Sequence, residues 1–469
     1  MFKTEEQRRE IRICVELPSL TGKTGPDGTE QGSGSDPTGG TAMKKAAWMA
    51  GCALALSILG AAGAQAETTL RIMWYSDGNE GEVMNDLLRR FEDKNKDVKV
   101  VLDQVPFKAI NETLPVQLAS GQGPDLARIT DMGGLAPYLM DIRPHVKDAA
   151  YWEQNYGPFL QWMRVPGNST AIPGYMTQLT VTGPFVNKTL FEQAGIAMPG
   201  ANATWEDWAK AAKAVADKVQ APFPVAFDRS GHRFFGLAVS QGAQMAEAGG
   251  ALKPVDDGFK RAAKLVVDWH KSGVMSKELW GAVSGTAYRG ANEEFKNAQV
   301  VFYESGSWQT AQFDKTIGDA FDWIAVPTPC GPANCSGMPG GAALVALKTS
   351  SHPAEVGRLL DYLASEEVAA EFYARTLFVP GHIGLAKKGI AYKSASPQAA
   401  AALKVFGDAV GKLDPVAYRI QGDPSSRIVF NAAISRLGQV VVGETTLDDA
   451  YQRISADVAQ QIAERKKKQ

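Results

Sequence analysis

The stretch from Thr68 to Thr130 limits the possible folds of this chain more than any other. It opens with a short apolar run, Thr68 to Ser76, that stops at Asp77-Gly78 as a buried strand does. Val83, Leu87, Leu88 and Phe91 then recur at helical spacing within Glu82 to Lys94, with charges on the other face. Val98 to Val105 is β-branched and extended, Ala109 to Ser120 reads as a second helix, and Asp125 to Thr130 as a third strand. Strand, helix, strand, helix, strand at such short intervals is the pattern of a parallel sheet wound with helices, an α/β architecture. Ligands of such sheets sit beyond the carboxyl ends of the strands, so Trp74 to Glu80 and Asp131 are expected to face a cleft.

A second block begins at Phe185. Thr204 is placed to cap a helix with Glu206 and Asp207 in its first turn and Trp208, Ala212 and Val215 on its inner face. Ala262 to Trp269 is another helix. Gln299 to Tyr303, Phe321 to Val326 and Gly341 to Leu347 read as strands, Pro353 to Glu371 as one long helix, and Arg427 to Ala463 as helix broken at 443–446. Trp152, Trp162, Trp205, Trp208, Trp269 and Trp323 are expected in cores or on helix faces.

Ahead of these blocks, Met43 to Ala66 has the parts of a secretory signal: Lys44 and Lys45, an apolar stretch from Ala46 to Gly63, and the small-residue site Ala64-Gln65-Ala66. The mature chain is expected to start near Glu67 and to be periplasmic. Residues 1–42 carry a Gly, Ser, Thr and Pro-rich tail with no apolar period; they are expected to be disordered or to reflect a mis-assigned start, with Met43 the initiator. Met49-Ala50-Gly51-Cys52 resembles a lipoprotein box, but too few uncharged residues separate it from Lys45 for lipid anchoring to be expected. The formal net charge is -2, and Lys, Arg, Asp and Glu before Glu67 cancel, so neither a nucleic-acid surface nor an acidic-substrate funnel is suggested. A chain of this length exceeds one core, and two domains are expected.

Cys330 and Cys335 lie in Pro329-Cys330-Gly331-Pro332-Ala333-Asn334-Cys335, where Gly and Pro let the chain fold back on itself. Export makes a disulfide the expected outcome. Two free thiols, or half of a metal site, are the rival readings, and no second Cys or His pair supports a metal.

Several collinear pieces give the chain a family likeness: Ala119-Ser120-Gly121-Gln122-Gly123-Pro124-Asp125-Leu126; Phe185-Val186-Asn187-Lys188-Thr189-Leu190-Phe191 with Ala194-Gly195-Ile196, Pro199 and Thr204-Trp205-Glu206-Asp207-Trp208; Glu304-Ser305-Gly306-Ser307-Trp308; Met338-Pro339-Gly340-Gly341; and Val379-Pro380-Gly381-His382. In this order the chain resembles the extracellular solute-binding family 1 of carbohydrate importers, which includes maltose-binding protein, along nearly all of Glu67 to Ala463. Phe185-Val186-Asn187 departs from the paired tyrosines that many members carry. The resemblance implies a two-lobed periplasmic binding protein fold, with discontinuous doubly wound lobes joined by three hinge crossovers and no cofactor. By position, lobe one takes 67–178 and 328–378, lobe two 183–325 and 383–469, and the crossovers 178–182, 325–328 and 378–383. It also implies a carbohydrate ligand, an ABC permease as membrane partner and a monomeric receptor.

A sugar offers an apolar face of C–H groups and a rim of hydroxyls, so a receptor needs flat aromatics and fixed donors or acceptors. Trp308, after Gly306-Ser307 at a strand end, is a candidate platform, with core packing the alternative. Trp280 sits after a helix where the family often stacks an aromatic on the sugar; the alternative is a staple beneath the loop. Trp74 and Tyr75 alternate in direction, so one of them is expected to face the cleft. Tyr175 precedes the first crossover. Asp131 can accept from two adjacent hydroxyls, and Glu80 can do the same or simply favour the dipole of the helix it opens. Gly340 and Gly341 could present backbone amides or form a tight turn, and Arg375 could reach the cleft or pair on the surface. Arg427 and Gln178 are further candidates. Several aromatics suit a di- or oligosaccharide.

The same fold could hold a polyamine, a phosphodiester or a metal complex, although no cluster of carboxylates or paired tyrosines is evident. It could also feed a sensor kinase or chemotaxis protein. A secreted glycoside hydrolase would need two carboxylates across the scissile bond; G-x-S-x-G and H-E-x-x-H are absent from the sequence, and Gly22-Lys23-Thr24 lacks the leading Gly of a phosphate loop.

Overall fold

The computed structural model describes residues 67–468 except 249 and 394. The leader, the signal segment, Cys52 and Gly22-Lys23-Thr24 lie outside the described residues. Within them, no helix is long and apolar enough to cross a membrane.

The opening alternation folds as its periodicity dictates. β1 (Thr68–Trp74) pairs in parallel with β2 (Val98–Gln104) from Thr68↔Val98 to Trp74↔Gln104, and with β3 (Leu126–Ile129) at Ile72↔Leu126. The intervening helix Glu80–Lys94 buries Val83, Leu87, Leu88 and Phe91, the stripe its spacing predicts. The single helix expected over 109–120 is instead two, Phe107–Glu112 and Leu114–Ala119. Pro115 has no N–H to continue the first and suits the opening turn of the second.

β4 (Gly174–Asn187) is the member that organises the rest: all 14 of its residues are buried. The later strands are β5 (Phe223–Phe227), β6 (Val300–Gly306), β7 (Trp323–Ala325) and β8 (Pro339–Ala346). The first part of β4 runs antiparallel to β8, which in turn lies antiparallel to β3; its second part runs antiparallel to β6 and β7. β5 joins β6 in parallel. The sheet order is β2-β1-β3-β8-β4-β6-β5, with β7 also on β4. Two α/β halves thus share one long strand, whose register shifts between Met176 and Gln178.

Thr204 caps the helix Trp205–Val219 in a capping box with Asp207, as expected. The helix expected over 353–371 is split into Pro353–Leu363 and Glu366–Thr376, turning at Ala364-Ser365. The last two helices, Ser426–Val442 and Leu447–Lys468, break at Gly443, whose φ of 86° is the left-handed geometry that glycine adopts without strain. The helix Ile383–Lys388 packs on Ala149–Leu160 and Glu366–Thr376, in the half that holds β1. Cys330 and Cys335 are joined in a disulfide. Their loop is stitched to the helix beginning at Trp205 by Cys330 N–H to Ala203 O, 2.9 Å, and Trp205 N–H to Cys330 O, 3.3 Å.

Candidate functional site

The carboxyl ends of β1 and β3 form one wall of a cleft between the halves. Its centre is Arg128, in the middle of β3 and 0% exposed. A buried guanidinium persists only when its charge is paired and its hydrogens are used. Arg128 donates to Tyr75 O (2.6 Å), Glu80 Oε1 (2.9 Å) and Gln178 Oε1 (2.7 Å), and its Cζ stands 4.2 Å from the Tyr75 ring centroid. Glu80, also 0% exposed, accepts from the backbone N–H groups of Asp77 and Gly78. The loop after β1 is thereby fixed, and Asp77 projects with its Oδ2 3.8 Å from Arg128 Nη2. Burial pushes the Asp77 carboxyl up to about 6, against the pull of Arg128. Burial also raises the Tyr75 hydroxyl, so Tyr75 stays protonated.

The opposite wall is built after β5, around Asp228. This buried carboxylate accepts from Tyr288 Oη (3.0 Å), Ser305 Oγ (2.9 Å), Ala291 N (3.3 Å) and the Tyr303 hydroxyl. Arg233 Nε lies 3.3 Å from Asp228 Oδ2. The Arg233 guanidinium is stacked over Trp308, with Cζ 4.0 Å from the ring centroid, and is 5.7 Å from that of Tyr288. Tyr288 is anchored by its hydroxyl yet 46% exposed. His232 Nε2 is 2.9 Å from Pro339 O; burial, reinforced by Arg233, lowers its pKa to about 3, so the ring is neutral and donates there. Burial likewise drives Glu304, on β6, well above the carboxylate range.

The walls touch. Arg427 Nε is 3.9 Å from Asp131 Oδ2, and its Nη2 donates to Thr130 Oγ1 at 3.1 Å. A methyl group added to Gly78 would stand 3.8 Å from Ala311 Cβ, and one added to Gly133 would stand 3.0 Å from Pro424 Cα. Asp131 also caps the helix Met132–Leu135 through Gly134 N–H at 3.1 Å, which leaves Oδ2 toward the cleft.

Tyr75, Glu80, Asp131, Trp308, Gln178 and Arg427 are therefore gathered around one cleft. Of the Trp74 and Tyr75 pair, neither ring is open: Tyr75 is 3% exposed, covered by Arg128 and Phe107, and Trp74 is fully buried edge-on to Phe372. Four other expectations change. Tyr175 is 2% exposed and packs edge-on to Trp152 and Tyr156, because β4 runs through the core there. Trp280 is 2% exposed, beside His270, and donates Nε1–H to Phe227 O at 3.2 Å; it is the staple, not a cleft aromatic. Gly340 and Gly341 are ladder residues opposite Thr180 and Leu179, and a methyl on Gly341 would stand 2.1 Å from Gln178 O, so their small size serves strand approach. Arg375 pairs with Asp86 (2.5 Å) and Glu371 (3.0 Å), away from the cleft.

Sequence reasoning missed Arg128, Asp228, Arg233 and Tyr288. The signals were present: a charge in the middle of an apolar strand needs a partner, and Asp228-Arg229-Ser230-Gly231-His232-Arg233 follows β5 just as Tyr75 to Glu80 follows β1. Among the described residues no group of three or more His, Cys, Asp or Glu is placed to hold a metal.

Residues 75–370 match the family model described as bacterial extracellular solute-binding protein. A binding protein of Brucella abortus (strain 2308) is 23% identical over 351 residues, 71% of this chain and 81% of that protein. Among solved structures, the cyclic alpha-maltosyl-1,6-maltose binding protein of Arthrobacter globiformis aligns with a TM-score of 0.63 at 17% identity, covering 83% of this chain and 98% of that one. An ABC transporter solute-binding protein of Thermotoga lettingae, bound with alpha-D-tagatose, aligns with a TM-score of 0.67 at 18% identity, covering 84% and 99%. At these identities the structural likeness speaks for the fold, which is the two-lobed periplasmic binding protein fold.

Proposed function

We propose, from the premise that this chain belongs to the family of bacterial extracellular solute-binding proteins, that it is the periplasmic substrate-binding subunit of an ABC importer. Its solute is a carbohydrate, of di- or oligosaccharide size, held between the lobes and handed unchanged to a membrane permease. The observation that carries this reading is the cleft itself. Fixed acceptors (Asp77, Asp131), fixed donors (Arg233, Arg427) and the exposed aromatic ring of Tyr288 converge there from both halves, the mixture that a hydroxyl-rimmed ring requires. Because only a solute touching both walls favours their approach, binding and lobe closure are coupled.

We assign lobe one to 67–178 and 339–388 and lobe two to 183–335 and 397–469, with passages at 178–182, 336–338 and 389–396; the second is moved from 325–328 because the Cys330 to Cys335 loop is hydrogen-bonded to Ala203, Trp205 and Ser240 of lobe two. The third is moved from 378–383 because the helix Ile383–Lys388 packs with lobe one. Export by the Met43 to Ala66 signal, and receptor rather than catalytic action, belong to the same proposal. It is tested by a thermal-shift screen of the chain from Glu67 onward against mono-, di- and oligosaccharides, polyamines and phosphodiesters. A saccharide that raises the midpoint and is recovered intact is the expected result. A response to a polyamine or phosphodiester alone would change the substrate class, and a consumed saccharide would make the protein an enzyme.

A further inference from the structure

We propose that Arg233, rather than Trp308, is the side chain that meets the solute at the lobe-two wall, and that Trp308 is a positioning residue acting through it. This rests on the cleft being the solute site. A sugar can stack on a tryptophan only if a ring face is free. Here the guanidinium carbon of Arg233 lies over the Trp308 ring at 4.0 Å from its centroid, the distance a stacked ligand would take. Gly306 crowds the same indole: a methyl group added there would stand 2.0 Å from Cζ3 and 2.2 Å from Cη2.

Arg233 is held mainly by charge. Its buried Nε faces Asp228 Oδ2 at 3.3 Å without hydrogen-bond geometry and its Nη1 donates to Ser230 Oγ at 3.4 Å, while Asp228 is itself held by Tyr288, Tyr303 and Ser305. Nη2 has no hydrogen-bond partner among the described residues. A flat guanidinium stacked on an indole, with Nη2 unpaired, is a preorganised donor. It calls for a solute that presents oxygen acceptors at this wall, with the exposed Tyr288 ring beside it as the available aromatic face.

Two experiments decide the matter. Hydroxyl-radical footprinting of the chain from Glu67 needs no solute. Arg233→Ala is expected to raise oxidation of Trp308 several-fold (roughly) once the stacked guanidinium is gone. An unchanged rate at Trp308 would overturn the stack and the inference with it, whatever the solute proves to be. Calorimetry with maltose, maltotriose and trehalose then tests the role. Trp308→Leu and Arg233→Ala are each expected to weaken binding by roughly tenfold or more, and the double variant no further than the worse single, because the two act as one unit. Trp308→Phe, which keeps a flat face, is expected to restore most of the affinity. Arg233→Lys keeps a cation for Asp228 without the planar stack, and should lose affinity as Arg233→Ala does. If Arg233→Ala binds as tightly as the parent or tighter while Trp308→Leu fails, Trp308 is the platform and the inference is wrong. If none of the three sugars binds the parent, the footprint alone decides the inference, and the carbohydrate reading stands or falls on the thermal-shift screen.

Discussion

Each wall of the cleft is built on an arginine, and the two are used in opposite ways. Arg128 is fully buried, sits in mid-strand, and spends both its Nη groups on Tyr75 O, Glu80 and Gln178, leaving only its buried Nε without a partner among the described residues. Arg233 follows a strand end on the other lobe, is partly exposed, and lies on Trp308 with Nη1 alone hydrogen-bonded among the described residues. The first holds a loop in place and so acts on stability; the second offers a hydrogen bond and so acts on affinity. Residue type alone therefore does not assign a role, whereas the number of donors already used does.

The sharpest way to break this contrast is Arg128→Met. It leaves Glu80 buried without its counter-charge, and a loss of about 3–5 kcal/mol in denaturant unfolding is expected. Glu80→Gln in the same chain should recover most of it. A small loss would mean that water reaches the pair. Arg233→Ala should cost only about 1 kcal/mol of stability, since Asp228 keeps its hydroxyl and amide donors, while affinity falls as described above. Equal stability losses at the two arginines would erase the distinction.

Asp77 sharpens the comparison through pH. Its folded pKa, about 6, lies above the ordinary carboxylate value. The stability it contributes is fully present below the unfolded pKa, near 3.9, and is lost as pH rises through 6. Asp77→Asn should accordingly stabilise the protein at pH 7 by about 1 kcal/mol, a figure discounted for the side chain's partial exposure, and the gain should vanish by about pH 4. A gain that grows on acidification would contradict the burial argument. The smallest effect is expected at Arg375. Its ion pairs with Asp86 and Glu371 are solvent-accessible, so Arg375→Ala should shift stability by less than about 1 kcal/mol and leave binding unchanged.

Much of the frame was legible because it is periodic. The β1 to β3 alternation, the capped helix at Thr204 and the break at Gly443 are local signals, and the structure keeps them. β4 was not legible as one strand, because pairing with β8 at one end and with β6 and β7 at the other is decided by segments far along the chain. The site was legible only where the strand-end rule was applied. It pointed to the segment of Tyr75 and Glu80 and to Asp131, and the same rule applied after β5 would have pointed to Asp228 and Arg233. Aromatics defeated the reading for a physical reason: Tyr175 and Trp280 are buried by Trp152, Tyr156 and His270, partners that no local pattern announces.

The most direct test of the whole account is a calorimetric titration of the chain from Glu67 with the saccharides that respond in the thermal screen, followed by chemical analysis of the recovered solute. One equivalent of an intact di- or oligosaccharide, bound by the parent and weakened by at least about tenfold in Arg233→Ala, is the predicted result. A saccharide bound equally well by both chains, or returned hydrolysed, would contradict a transport receptor that holds its solute between these two walls.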